Sequence, residues 1–457
     1  MKQQVLSINI MIWLAIPLTL HAQREFTVEQ CVEYAFANNP LIRAYNTEQA
    51  IAELDVKRVG GLYLPRAGVG ASFQYYLANR KMLVEGGSPL APPSLDAGAP
   101  LAFDIGYNNS WYPTLGVNQL IYDPAYRETH NIAEQNQQLS GQQRALFKID
   151  VIAGIHKAFF TCKILDLQAK FLRGNISRID TLIELTRIKY QEGAGVKLEV
   201  NRVEVTGNRM RSEFGNVLNR YNEALMALQF QMNYLEPDSM ILQSTITAPQ
   251  LVANADTIMR LLLESSPDSR IESQSLQTQI AVADELVGKE RARMLPVVGA
   301  EGVLGFAPAA NNIGDIFQSE RWKPYSYIGI NVGVPIFNGM DVKRAVEQGQ
   351  LQASQFRDYL SQFTIQFQNE KVTTYIAIKN FKERLAYADT NLRLAQDNVA
   401  LLNEAFINGV ADNQDMILGE NDLYDNQSRY FNELLNLMLN EIDGRQVIGF
   451  FNGMATN

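Results

Sequence analysis

The sequence predicts an α+β chain written as a tandem structural repeat, with two pairs of strands and two very long helices. Paired landmarks are the first observation. Leu64-Pro65 and Leu295-Pro296 each open a Gly-rich alternating stretch. Ile121-Tyr122-Asp123-Pro124 and Ile336-Phe337-Asn338-Gly339 each end a strand-like run before a long helix. Tyr190-x-x-Gly193 and Phe406-x-x-Gly409 each break that helix. The three pairs follow one another in the same order, and their separation shortens once, by the extra loop length in the first copy. Self-similarity at a fixed period governs the whole architecture when present. The second observation is strict alternation from Ile328 to Ile336, and the third is a pair of proline-free stretches longer than ordinary globular helices.

In chain order, residues 1–22 have the pattern of a signal peptide. Lys2 supplies the positive start, Ile8 to Leu20 the apolar core, and Leu20-His21-Ala22 the small-residue cleavage site. The mature chain is therefore expected to be exported. Loss of Lys2 leaves it with a net charge of −10, against −9 for the full sequence. An acidic chain without basic clusters argues against nucleic acid and anionic headgroups as partners. Cys31 and Cys162 are the two cysteines, which is no disulfide framework; one bridge or two buried thiols both fit. No second run of 18 apolar residues exists, so entry into a membrane would require a closed β-barrel.

The first copy spans 23–235: a leading helix from Thr27 to Gly60, strand 66–77, loop 78–110, strand 111–121, long helix 125–192 and returning helix 197–235. Residues 236–255 link the copies. The second copy spans 256–457: a leading helix from Thr257 to Arg293, strand 297–306, loop 307–323, strand 324–337, long helix 342–408 and returning helix 414–450. In the last strand Ile328, Ile330, Val332, Val334 and Ile336 alternate with Gly329, Asn331, Gly333 and Pro335. A soluble sandwich would bury that β-branched face; a barrel would show it to lipid and the Gly/Asn face to a lumen. Tyr75, Tyr76, Trp111, Tyr112, Trp322, Tyr325 and Tyr327 lie toward the loop ends, where an aromatic girdle is expected. The loops hold prolines and glycines and are expected to be exposed. Pro124 fits the first turn of a helix, where its missing N–H is harmless. Each long helix, at 1.5 Å per residue, would reach about 100 Å. Their sparse apolar positions suit one packed flank and one wet face, as in a channel wall or a coiled coil.

Together these residues resemble the outer-membrane efflux protein (TolC) family over nearly the whole mature chain. Val334-Pro335-Ile336-Phe337-Asn338-Gly339 is similar to the family's strand-to-helix junction, with Pro124 at the equivalent point of the first copy. Ala37-Asn38-Asn39-Pro40 and Ser265-Ser266-Pro267 resemble its repeat openings, and the turns at Gly193 and Gly409 its periplasmic helix tips. The resemblance implies a homotrimeric membrane protein. Each subunit would give four strands to a 12-stranded β-barrel continuous with a long periplasmic α-helical barrel. It also implies an outer-membrane location, contact with outer-membrane lipid, and passive export fed by an inner-membrane pump through a periplasmic adaptor (membrane fusion) protein.

It further implies a periplasmic gate. The family's acidic ring falls on Asp415, six residues after Gly409, and Leu418 stands where some members carry a second carboxylate. Glu199 is the first-copy counterpart of Asp415. A tyrosine that holds the tunnel shut in the best-known member is Phe406 here, so that latch has no hydroxyl, and Glu199 would need another donor. Tyr190, Gly193, Gly195 and Gly409 would form the adaptor-binding tips, the glycines serving also as turn residues with positive φ. Nothing indicates an enzyme, a cofactor or a metal site: His130 and His156 stand far apart on one helical stretch, and no phosphate loop or triad stands out. A periplasmic coiled-coil scaffold or adhesin without transport is the alternative. A nutrient porin is disfavoured, because it needs only short periplasmic turns.

Overall fold

The structure, a computed structural model, describes residues 25–94, 96–235, 240–243 and 247–456. The signal peptide expected at 1–22 and part of the 236–255 segment lie outside them. The elements in chain order are β1 (Glu25–Phe26), α1 (Val28–Asn38), α2 (Pro40–Gly60), β2 (Arg66–Tyr75), β3 (Arg80–Glu85), β4 (Pro100–Ile105), β5 (Asn109–Tyr122), α3 (Tyr126–Gln191) and α4 (Lys197–Met232). There follow β6 (Ile241–Leu242), α5 (Ala248–Glu264), α6 (Ile271–Ala292), β7 (Val297–Phe306), β8 (Ala309–Ala310), β9 (Pro324–Gly333), α7 (Asp341–Ile407), α8 (Asn413–Val447) and α9 (Asn452–Thr456). No helix among the described residues is long and apolar enough to cross a membrane. The chain divides into two compact units.

One unit, residues 45–143 and 272–363, holds the main sheet. Its strands run β2-β5-β7-β9, all antiparallel, and β8 adds to the Asn109–Ser110 end of β5. β2 and β9 are edges. Period two gives the sheet two chemically different faces. Following the pairing register, Val69, Phe73, Leu115, Val117, Leu304, Ile328, Ile330 and Val332 share one face. Ile328 is 90% exposed and Val69 84%, so this apolar face covers no core among the described residues. The opposite face carries Gly68, Gly70, Ser72, Gln74, Thr114, Gly116, Asn118, Gly329 and Asn331.

Several details depart from the sequence expectation. The last strand stops at Gly333, short of 337, because Pro335 has no N–H to continue a ladder. Tyr112, Tyr325 and Tyr327 fall on the glycine face, opposite Trp111 and Tyr75, so they do not join one outward girdle. Trp111 and Trp322 instead pack edge-on with centroids 5.2 Å apart, and the Trp322 indole donates to the Ile316 carbonyl at 3.0 Å. The 78–110 stretch contains the antiparallel β3–β4 hairpin, which places Met82 beside Phe103 and Val84 beside Leu101. Its alternation is masked in the sequence by Pro89, Pro92 and Pro93, which sit only in the connection. Pro124 lies in the turn before α3 rather than in its first helical position. There the Asp123 side chain accepts from Ala125 N at 2.9 Å and the Tyr63 and Tyr126 rings meet at 4.5 Å.

The other unit comprises the residues up to Ala44, Arg144–Ile271 and those from Thr364 onward. Each leading helix expected as continuous is broken. α1 ends at Asn38, where Asn39 turns extended before Pro40, since the residue before proline avoids the α region. α5 starts at Ala248, inside the expected linker, behind a Thr247–Gln250 capping box, and Ser265-Ser266-Pro267 separates it from α6. β1 and β6 pair in parallel. Ile152, Ile155, Phe159 and Leu165 of α3 form its buried flank. Cys31 and Cys162 are free thiols, fully buried, and burial pushes each up to about 12.

His156 lies in the same core, its ring 5.3 Å from Phe451 and 6.2 Å from Phe160. Burial first, and then the Arg445 charge, pulls it down to about 4, with Glu29 opposing. The folded state therefore holds a neutral ring, while the unfolded chain charges it below its ordinary value of about 6.5. Stability is full above that pH and falls as pH drops toward 4, by roughly 3 kcal/mol in total. Denaturant titrations of this protein between pH 7 and pH 4.5 should show that loss, and His156→Leu should flatten it.

Candidate functional site at the helix tips

All the expected gate and tip residues lie in the helical unit; Pro124, Pro335, Phe337 and Gly339 belong to the sheet unit. The tips are built by two matching helix ends. α3 stops because Gly193 adopts φ +77°, and α7 because Gly409 adopts φ +74°. Gly193 N donates to the Tyr190 carbonyl at 3.1 Å and Ala194 N to the Lys189 carbonyl at 2.9 Å. Gly409 N donates to the Phe406 carbonyl at 3.2 Å and Val410 N to the Ala405 carbonyl at 2.8 Å. This paired closure satisfies carbonyls that a helix end leaves open, and it needs a left-handed residue at the glycine. Gly195 differs from the expectation: its φ is ordinary. A Cβ there would lie 3.3 Å from Tyr190 N, so its requirement is close approach, not handedness.

The two tips touch. The Phe406 ring packs on a cluster formed by Ile179, Leu182, Ile183, Val203, Met210 and Met416, and Lys189 Nζ sits 4.4 Å from its centroid. A cation thus lies over the Phe406 face. Glu199 finds its donor in the other copy: Asn413 Nδ2 donates to Glu199 Oε2 at 3.0 Å. Thr186 Oγ1 donates to Asn413 Oδ1 at 3.2 Å, so three helices, α3, α4 and α8, meet at one buried amide.

Asp415 belongs to the start of α8. Asp412 Oδ1 accepts from Gln414 N and Asp415 N, and Asp415 Oδ2 accepts from Asp412 N at 3.1 Å. The Asp415 carboxylate is thereby oriented at a helix N-terminus, where the dipole favours it. Leu418 follows on the same exposed face. Both line a cavity of about 470 Å³ with Asn398, Leu401 and Asp422.

Sequence inspection misses the seam between α3 and α8. Arg178 binds Glu420 with two bonds, Nε to Oε1 at 2.7 Å and Nη2 to Oε2 at 3.1 Å, and also donates to Asn175 Oδ1. Asn175 Nδ2 donates to Gln427 Oε1 at 2.6 Å. Glu420 is 1% exposed. Asn413, Glu420 and Gln427 recur at heptad spacing, with Met416 and Leu423 at the apolar positions between them. That heptad is the available signal.

Residues 32–233 match the family model described as outer membrane efflux protein. No curated sequence matched the chain. Among solved structures, the Campylobacter jejuni CmeC outer membrane channel has a similar fold, with TM-score 0.69 and 16% identity over 92% of this chain and 85% of that one. VceC from Vibrio cholerae aligns with TM-score 0.67 and 13% identity over 92% and 96%. The open-state MtrE channel of Neisseria gonorrhoeae aligns with TM-score 0.68 and 14% identity over 92% and 88%.

Because Glu420 is buried, Arg178→Ala should destabilise the protein by about 3–5 kcal/mol through an uncompensated charge. Arg178→Met combined with Glu420→Leu should recover most of that loss; thermal unfolding of the two variants checks it. Gly409→Ala should cost about 1 kcal/mol for the left-handed position, and Gly409→Asn less. The match over the first copy and the fold shared across 92% of the chain agree: residues 32–233 are similar to outer membrane efflux proteins, and the chain has the fold of solved outer membrane channels.

Proposed function

We propose that the chain is the outer-membrane exit duct of a tripartite efflux or type I secretion system, working as a homotrimer. The observation that carries this is the sheet. Among the described residues it has two unpaired edges, β2 and β9, and an apolar face with no cover. In lipid every backbone donor and acceptor needs a partner, so only closure is stable. Three copies of a four-stranded sheet close a 12-stranded barrel with the apolar face to lipid and the glycine face to a lumen. Exposed Leu351, Tyr359, Ile365, Val372 and Ile376 on α7 supply apolar surface for helix contacts between copies of a periplasmic helical barrel. The two sequence copies, 23–235 and 256–457, then act as quasi-equivalent staves.

In this assembly a periplasmic adaptor binds the tips at Tyr190, Gly193, Gly195 and Gly409, and an inner-membrane pump delivers the cargo. Three Asp415 carboxylates, one per chain, would ring the entrance beside Leu418, and the Glu199–Asn413 and Lys189–Phe406 contacts hold the tips together. Pro335, Phe337, Gly339 and Pro124 fix the turns from strand to helix. Transport is passive, and no chemistry is catalysed.

Native mass spectrometry of detergent-purified protein should give three copies; a monomer stable without detergent would instead fit a periplasmic scaffold or adhesin. Ile330→Arg, on the lipid face, should destabilise the inserted barrel by roughly 2–4 kcal/mol, whereas Asn331→Arg on the other face should be tolerated. Unfolding in bilayers separates the two.

A further inference from the structure

Across β2, β5, β7 and β9 only two residues carry a charge, Arg66 and Glu301. They stand in one cross-strand row. Arg66 pairs with Asn118, Asn118 with Glu301, and Glu301 with Gly329. Partners in register share a face, so both charges lie on the glycine-bearing side, two strand spacings apart, or about 10 Å between backbones. A Cβ at Gly329 would meet Glu301 Oε1 at 3.5 Å and the Tyr327 ring at 3.9 Å, and one at Gly305 would meet the Tyr325 ring at 2.8 Å. The glycines thus let Glu301 and the tyrosines lie along the wall instead of projecting inward.

We infer that the lumen carries a charge-balanced ring in which three Arg66 and three Glu301 alternate, and that this ring selects dipolar or zwitterionic solutes over ions of either sign. The ring rests on the barrel proposed above. Three positive and three negative groups cancel along the axis, so a simple ion gains little there. Across the pore they create alternating fields, which act on a solute bearing both an ammonium and a carboxylate. Rings of one sign select ions by their field, and a low-dielectric wall strengthens that field.

The test is the reversal potential of the trimer in a planar bilayer under a KCl gradient. An Asp415→Asn background removes the tip carboxylate while keeping an oxygen for the helix cap. Arg66→Gln should shift the potassium-to-chloride permeability ratio upward, and Glu301→Gln should shift it downward, each by about threefold or more. The double variant should return toward the parent. Triglycine, a zwitterionic probe, should slow the parent current measurably more than it slows either single variant. Single variants that leave the ratio unchanged, or shift it the same way, would overturn the ring. Equal triglycine effects in all channels would also overturn it. A trimer that inserts and passes no current overturns the pore, and the ring with it.

Discussion

The structure turns on an unfinished hydrogen-bond ladder. β2 and β9 each leave a row of backbone groups without partners, and the sheet between them shows its β-branched face outward. A soluble protein would cover that face or blunt those edges. Among the described residues neither occurs, and in β9 isoleucine and valine alternate with glycine and asparagine from Ile328 to Gly333. Glycine on one face is the counterpart of isoleucine on the other. A narrow, curved wall needs small residues where it is concave and can accept branched ones where it is convex.

The helical unit solves a different problem. Its long helices cannot be held by a deep core, because each keeps one side wet. The buried flank of α3 continues past Leu165 through Leu172, Ile179 and Leu182, and toward the tips it mixes apolar clusters with paired polar groups. Arg178–Glu420 and Asn175–Gln427 add less net stability than hydrophobic substitutes would, but they demand a particular partner. Purely apolar seams between helices of this length would tolerate several alignments.

Much of this is legible in the sequence. Alternation at 328–333 and proline-free runs after Pro124 and Gly339 are local signals, and both elements form there. What escapes a reading of the letters depends on partners far away in the chain. Glu199 visibly needs a donor, but that Asn413 supplies it follows from the packing of α8 against α4. Gly193, Gly195 and Gly409 look alike as letters, yet only two adopt the left-handed region, because only those two close a helix. The β3–β4 hairpin is hidden by prolines in its own turn. The glycine-face position of Tyr325 and Tyr327 is available from their parity with Ile328.

The heptad spacing along α8 has a mechanical corollary. Asn413, Glu420 and Gln427 are separated by about 10.5 Å steps along the helix axis, each engaged by a different side chain of α3. The three pairs behave like the divisions of a vernier. Displacing α8 along α3 by a single turn breaks all three at once and presents each donor with a mismatched neighbour. Re-engagement requires a full heptad, and then Asn413 meets a position meant for Glu420. The seam therefore has one seat and no intermediate stops. Any rearrangement at the tips must lift or rotate the helices apart, since sliding is the one motion the pairing forbids.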